Sequence, residues 1–145
     1  MFNRLNRTIF VLSLAGLAVT AFLLYEYNQP APVICPFGGT GCETVRASEY
    51  SKFFGISIPY LGIFYYLFIA IESILQTREK RSSWLLNLQL IASVLAVSFG
   101  IYLTYLEGFV IGAYCFWCVL SFIISLLILV MTILRIKENN NENRK

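Results

Sequence analysis

Four cysteines, in a chain without a single histidine or aspartate, narrow the chemistry open to this protein. Cys115-Phe-Trp-Cys118 is a C-x-x-C pair, and Cys35 and Cys42 bracket a loop that carries Gly38, Gly39 and Gly41. A Ser-His-Asp hydrolase and histidine-based metal chemistry are excluded by composition. A zinc site would consume all four thiolates, so no metal is expected. Thiol–disulfide exchange remains, because a thiolate of lowered pKa attacks a disulfide sulfur without a separate base. At a helix start, the i, i+3 spacing of Cys115 and Cys118 puts both sulfurs on one face. The partial positive charge of the helix N-terminus favours thiolate at Cys115. Cys118 then lies nearly one turn, about 4.5 Å, further along the axis. Four cysteines allow three pairings. The sequence-adjacent one, Cys35–Cys42 with Cys115–Cys118, closes two short loops. Three glycines between Cys35 and Cys42 give that loop a freedom a static staple does not need.

The elements that position these residues must live in lipid. Of 145 residues, 58% are hydrophobic and 13% charged, against roughly 45–50% and about 25% in soluble domains. Four stretches approach the ~20 apolar residues a membrane span requires: Thr8–Tyr25, Ile58–Leu75, Trp84–Leu106 and Ala113–Ile136. The expected fold is therefore an all-α membrane protein, a four-transmembrane-helix bundle filling residues 1–136, with residues 137–145 as a disordered cytoplasmic tail. Arg4 and Arg7 before the first stretch imitate a signal peptide. The run is longer than a signal h-region of about 7–15 residues and lacks a small-x-small cleavage site, so it reads as a retained helix. In the first outer loop, Pro30 and Pro32 end the first helix. Ser48 as N-cap, Glu49 in the first turn and Gly55 as stop predict a short interfacial helix over residues 48–55. Its aromatics Tyr50, Phe53 and Phe54 suit the headgroup level. Glu72 and Glu107, near helix ends, read as interfacial residues rather than proton relays.

Charge sets the orientation. Nine of the 11 Lys and Arg fall at residues 4 and 7, at 78, 80 and 81, and at 135, 137, 144 and 145, all on one side of a four-helix threading. Lys- and Arg-rich short loops stay cytoplasmic, so both termini and the 76–83 loop are expected inside, in a multi-pass protein of the cell membrane. The net charge of +3 is thus a topology signal and gives no reason to expect nucleic acid. All four cysteines then face the extracytoplasmic side, where disulfides persist. A non-catalytic membrane scaffold stapled by two disulfides is the bland alternative.

Together, the outer-loop cysteine pair, Ser48 six residues after Cys42, Gly62 in the second span and C-x-x-C opening the fourth resemble vitamin K epoxide reductase homologues over nearly the whole chain. The C-x-x-C order is the reverse of DsbB-type oxidases, which place it in the first outer loop. For the bacterial type, the resemblance implies a thiol oxidase that drives disulfide formation. Electrons would pass from an extracytoplasmic, thioredoxin-like (DsbA-like) partner through Cys35 and Cys42 to Cys115 and Cys118, and on to a membrane quinone, ubiquinone or menaquinone. It also implies a quinone pocket with Ser48 in its lining. Vertebrate members hold the quinone head with an Asn and a Tyr; gapless placement puts Ile58 and Phe122 at those positions. That departure weighs against vitamin K epoxide, the substrate of the animal type, which is the second enzymatic alternative.

Overall fold

The computed structural model describes residues 2–36, 38–78 and 82–145. Four long helices dominate: α1 (Phe2–Tyr27), α3 (Ile58–Arg78), α4 (Ser83–Tyr105) and α5 (Phe116–Asn143). Each is long and apolar enough to cross a membrane; α1 and α3 contain their expected spans, α4 ends one residue short of Leu106, and α5 begins at Phe116 rather than Ala113. Apolar side chains such as Val11, Phe64, Trp84, Leu95 and Phe109 stand exposed on the outside of the bundle, as lipid-facing residues do. The fold is the expected all-α membrane bundle. Of the positive loop expected on the cytoplasmic side, Lys80 and Arg81 lie outside the described residues.

The helices are joined through small residues. α1 packs most extensively on α3 and next on α5, whereas α3 and α4 touch little. At the α1–α3 crossing the Tyr66 ring lies where a Cβ on Gly16 would stand. A second small-residue approach brings Gly62 to Thr20, whose Cγ2 would sit 2.6 Å from an added Cβ. Without a hydrophobic drive between helices in lipid, such close approach and interhelical hydrogen bonds supply the association energy. Tyr66 Oη donates to the Ser121 carbonyl at 2.6 Å and so ties α3 to α5. Gly16→Val is expected to overpack this crossing and cost about 1–3 kcal/mol. Thermal unfolding in detergent should show a lowered midpoint; an unchanged midpoint would refute close approach as the clamp.

One end of the bundle, where α3 finishes and α4 begins, holds a buried polar knot. Asn6 Nδ2 donates to the Ser73 carbonyl at 2.8 Å and to Thr77 Oγ1 at 3.0 Å. Ser73 Oγ donates to Asn6 Oδ1 at 2.8 Å. Gln76 Nε2 donates to Gln89 Oε1 at 2.9 Å. Arg135 Nη1 donates to Asn6 Oδ1 at 3.0 Å and reaches Gln89 Oε1 at 3.5 Å. All four long helices thus share one hydrogen-bonded cluster. Glu72, 2% exposed, is buried beside it, and is not the interfacial residue its position near a helix end suggested.

Three local expectations change. Residues 48–55 do not form a helix. Glu49–Ser51 is a single 3₁₀ turn, and β1 (Lys52–Phe53) pairs antiparallel with β2 (Ile56–Ser57). The two central residues, Phe54 (φ 50°) and Gly55 (φ 81°), both have positive φ, the requirement of a tight primed hairpin turn. Gly55 therefore turns the chain back instead of ending a helix. The short outer helix is instead α2, Gly41–Ala47, with Glu43 in its first turn and Arg46 in its last, complementing the helix dipole. At the C-terminus, α5 does not stop at Ile136 but continues to Asn143. Asn139 is buried, and each added residue of an established helix costs no new nucleus.

Candidate functional site

Past Tyr105, α4 widens into a π-helical segment, Leu106–Ile111, which Gly112 terminates in the left-handed conformation (φ 68°). The chain then reaches Cys115, the N-cap of α5. On the other side of this gap, α2 starts beneath the same corner: a Cβ on Gly41 would meet the Tyr114 carbonyl oxygen. That contact seats Cys42, the second residue of α2, against the start of α5.

The result is one apolar cluster in which Cys42 and Cys115 are completely buried, packed with Leu23, Val33 and Val45 and flanked by Cys35 and Cys118. All four cysteines meet, as their placement in the sequence implied. Cys35 and Cys42 form a disulfide with Cα atoms 6.2 Å apart, while Cys115 and Cys118 are free thiols. Of the two loop cysteines, Cys35 is the more accessible.

The loop is held rather than loose. Glu26 Oε2 accepts the Ile34 N–H at 3.2 Å and Glu43 Oε2 accepts the Val33 N–H at 3.1 Å. Arg46 Nη1 donates to the Ala31 carbonyl at 3.0 Å and pairs with Glu43 at 3.6 Å. Trp117, between the two α5 cysteines, donates from Nε1 to the Ile34 carbonyl at 3.0 Å. The strand leading to Cys35 is thereby bonded to the helix that carries Cys118.

Cys115 has its pKa lowered. The Cys118 side chain hydrogen-bonds the Cys115 sulfur, and the backbone N–H groups of Cys118 and Trp117 add to this; burial and the nearby Glu107 work against it. Free N–H groups of a first helical turn are the expected stabilisers of a thiolate at an N-cap.

Cys118 faces a cavity of about 590 Å³ between α3 and α4, which touch little, with α1 and α5 closing its back. The lining is mostly apolar, including Ile58, Gly62, Phe99 and Phe122, with Ser121, Thr104 and Glu107 as polar points. Pockets of roughly 300–1,000 Å³ with a few convergent polar groups are typical of small-ligand sites. A flat apolar ring with polar oxygens fits this lining. Ile58 and Phe122 do line it, though neither side chain can bond a carbonyl. Ser48 does not line it. Its hydroxyl donates to the Val45 carbonyl at 2.6 Å at the end of α2, and it borders a separate outer groove with Glu43, Thr44 and Tyr50.

Glu107 was the residue missed. It is 4% exposed, and its Oε2 accepts the Cys115 N–H at 3.2 Å, with the Cys118 thiol also within hydrogen-bonding reach. A signal existed in the sequence, since Glu107 interrupts an apolar run eight residues before Cys115. Its inward aim depends on the π-helical widening, which no local pattern announces.

Compared with known families, the chain matches the sequence model of the Vitamin K epoxide reductase family over residues 7–133.

Proposed function

The chain belongs to the vitamin K epoxide reductase family, and on that footing we propose that it is a membrane thiol oxidase of the bacterial type. Membership makes it a membrane oxidoreductase that links disulfide formation to quinones in general. The finer reading rests on one observation: four cysteines in a single cluster, with Cys118 alone among them on the wall of the large apolar cavity.

In this reading, a reduced thioredoxin-like protein outside the cytoplasm attacks Cys35, the accessible sulfur of the loop disulfide. Cys42 leaves as thiolate, buried against Cys115. It attacks Cys115 when Cys115 and Cys118 are joined, and Cys118 leaves as thiolate at the cavity wall. The partner's second thiol displaces Cys35 and departs oxidised, and Cys35 displaces Cys115 from Cys42, which closes the loop again. Each exchange forms one S–S bond and breaks one. A quinone, bound in the cavity, supplies the two-electron acceptor that allows Cys115 and Cys118 to rejoin. Its carbonyl would find hydrogen-bond donors among Tyr65, Ser121 and Glu107, since Ile58 and Phe122 offer none. This apolar pair at the positions of the vertebrate Asn and Tyr disfavours the epoxide as substrate.

Purified protein mixed with a reduced thioredoxin-like protein and a soluble quinone should consume quinone absorbance in step with partner thiols. No loss of absorbance would return the chain to a stapled scaffold. The proposed sidedness has its own check. Reporters fused at Ser82 and at Gly39 should signal from opposite faces, with Ser82 cytoplasmic; equal signals would sink the threading.

A further inference from the structure

Three spaces lie in series through the outer half of the molecule. The outer groove shares Tyr50 and Ile111 with a small enclosed cavity of about 20 Å³, which Tyr27 also lines. That small cavity shares Glu107 and Cys118 with the large apolar one. Its volume matches a single water, for which about 10–15 Å³ suffices. Glu107 therefore stands where a route from external water meets the redox sulfur. Among the described residues lining the large cavity it is the one carboxyl. The groups facing it are Tyr27 from α1, Tyr50 from the 3₁₀ turn, and Cys115 and Cys118 from α5.

We propose that Glu107 is the proton-transfer residue of the site, taking the Cys118 proton and exchanging protons with outer water through the small cavity. This deepens the oxidase reading and rests on it. The balance is simple. Joining Cys115 and Cys118 breaks two S–H bonds, forms one S–S bond and gives two electrons to the acceptor, which gains two protons. The Cys118 proton passes through the Glu107 carboxyl to the acceptor oxygen. The Cys115 proton is lost to outer water, and one proton re-enters from there by the same carboxyl, so no net proton is consumed.

Glu107→Gln keeps an oxygen to accept the Cys115 N–H but cannot carry a proton. Turnover should fall by roughly 10²-fold, within the range for a lost acid–base group, with the KM for quinone little changed. Glu107→Asp should recover part of the rate. A second readout needs no quinone. Infrared difference spectra between the dithiol and disulfide states of Cys115–Cys118 should contain a carboxyl band that Glu107→Gln removes. The rate at which an added disulfide reagent oxidises the pair at fixed pH should show a solvent isotope effect that the same variant loses. Identical infrared differences in wild type and Glu107→Gln, or full turnover in the variant, would overturn the proposal. Failure of the wild type to reduce quinone would instead remove the oxidase reading, leaving the infrared result to judge Glu107 alone. Should Glu107→Gln not fold, the infrared band and its response to Glu107→Asp decide the matter.

Discussion

Replacing Cys118 with alanine is expected to trap a disulfide between Cys42 and Cys115 and to drop turnover by on the order of 10³-fold or more, the scale for removing one member of an interdependent catalytic set. The reason is the order of exchange. With Cys115 left as a free thiol, the exchange runs opposite to turnover: Cys115, packed against the buried Cys42, attacks it and releases Cys35 from the loop disulfide. In the native chain, Cys118 can displace Cys42 from Cys115. In Cys118→Ala no sulfur on α5 can, and once a thiol-blocking reagent caps the accessible Cys35, which would otherwise reclose the loop, the bond stays. Cys115→Ala should give no such species, because it removes the attacking sulfur. Peptide mass spectrometry without reduction distinguishes the two variants. An intact Cys35–Cys42 bond in both would favour static staples. A Cys35–Cys115 bond would keep the enzyme but exchange the roles of the loop cysteines.

Gly41→Val should be nearly as damaging without touching any sulfur. The added side chain would occupy the space of the Tyr114 carbonyl, so α2 must back away from the start of α5 and take Cys42 with it. A misplacement near 1 Å can cost about 10²-fold in a step that depends on alignment, and exchange between Cys42 and Cys115 should slow by about that factor. Gly39→Val is the control, because its added atoms meet open space at an unstrained φ. Quenched single-turnover measurements of the loop disulfide would read both variants, with circular dichroism confirming that the helices persist. Equal exchange rates in the two would show that the Gly41–Tyr114 approach does not set the sulfur geometry.

What the sequence revealed followed from long-range regularities. Four apolar runs must become helices in lipid, since only there are all backbone groups satisfied within the segment. The meeting of the cysteines at one end follows from threading those runs. What stayed hidden depended on a few residues of local backbone. Ser48-Glu-Tyr-Ser carries a good helix-start pattern, but the positive φ values at Phe54 and Gly55 let a hairpin claim the residues after it. α2 was read as loop because it is seven residues long, too short for periodicity to register. Its signal was the Glu43–Arg46 placement alone. Ser48 lies at the expected distance from Cys42, yet α2 winds those residues up and leaves its hydroxyl capping a helix end. Glu107 needed a π-helical turn to be aimed inward. Glu72 and the knot around Arg135 show that polar residues within an apolar run are as readily interhelical bonds as surface markers.

The knot at Arg135 also orders the molecule's biogenesis. Arg135, the partner of Asn6 at 3.0 Å, is made 129 residues after it. Until then Asn6 is bonded only to α3 and Gln89 only to Gln76, and the donor that joins α1 to α4 is missing. The same closing helix carries Cys115 and Cys118. A nascent chain that has inserted three helices therefore has an incomplete polar cluster and lacks the Cys115–Cys118 pair, so the loop pair has nowhere on its own chain to pass electrons. The same helix thus completes both ends at once, joining the two polar pairs through Arg135 and delivering the redox pair through Cys115 and Cys118.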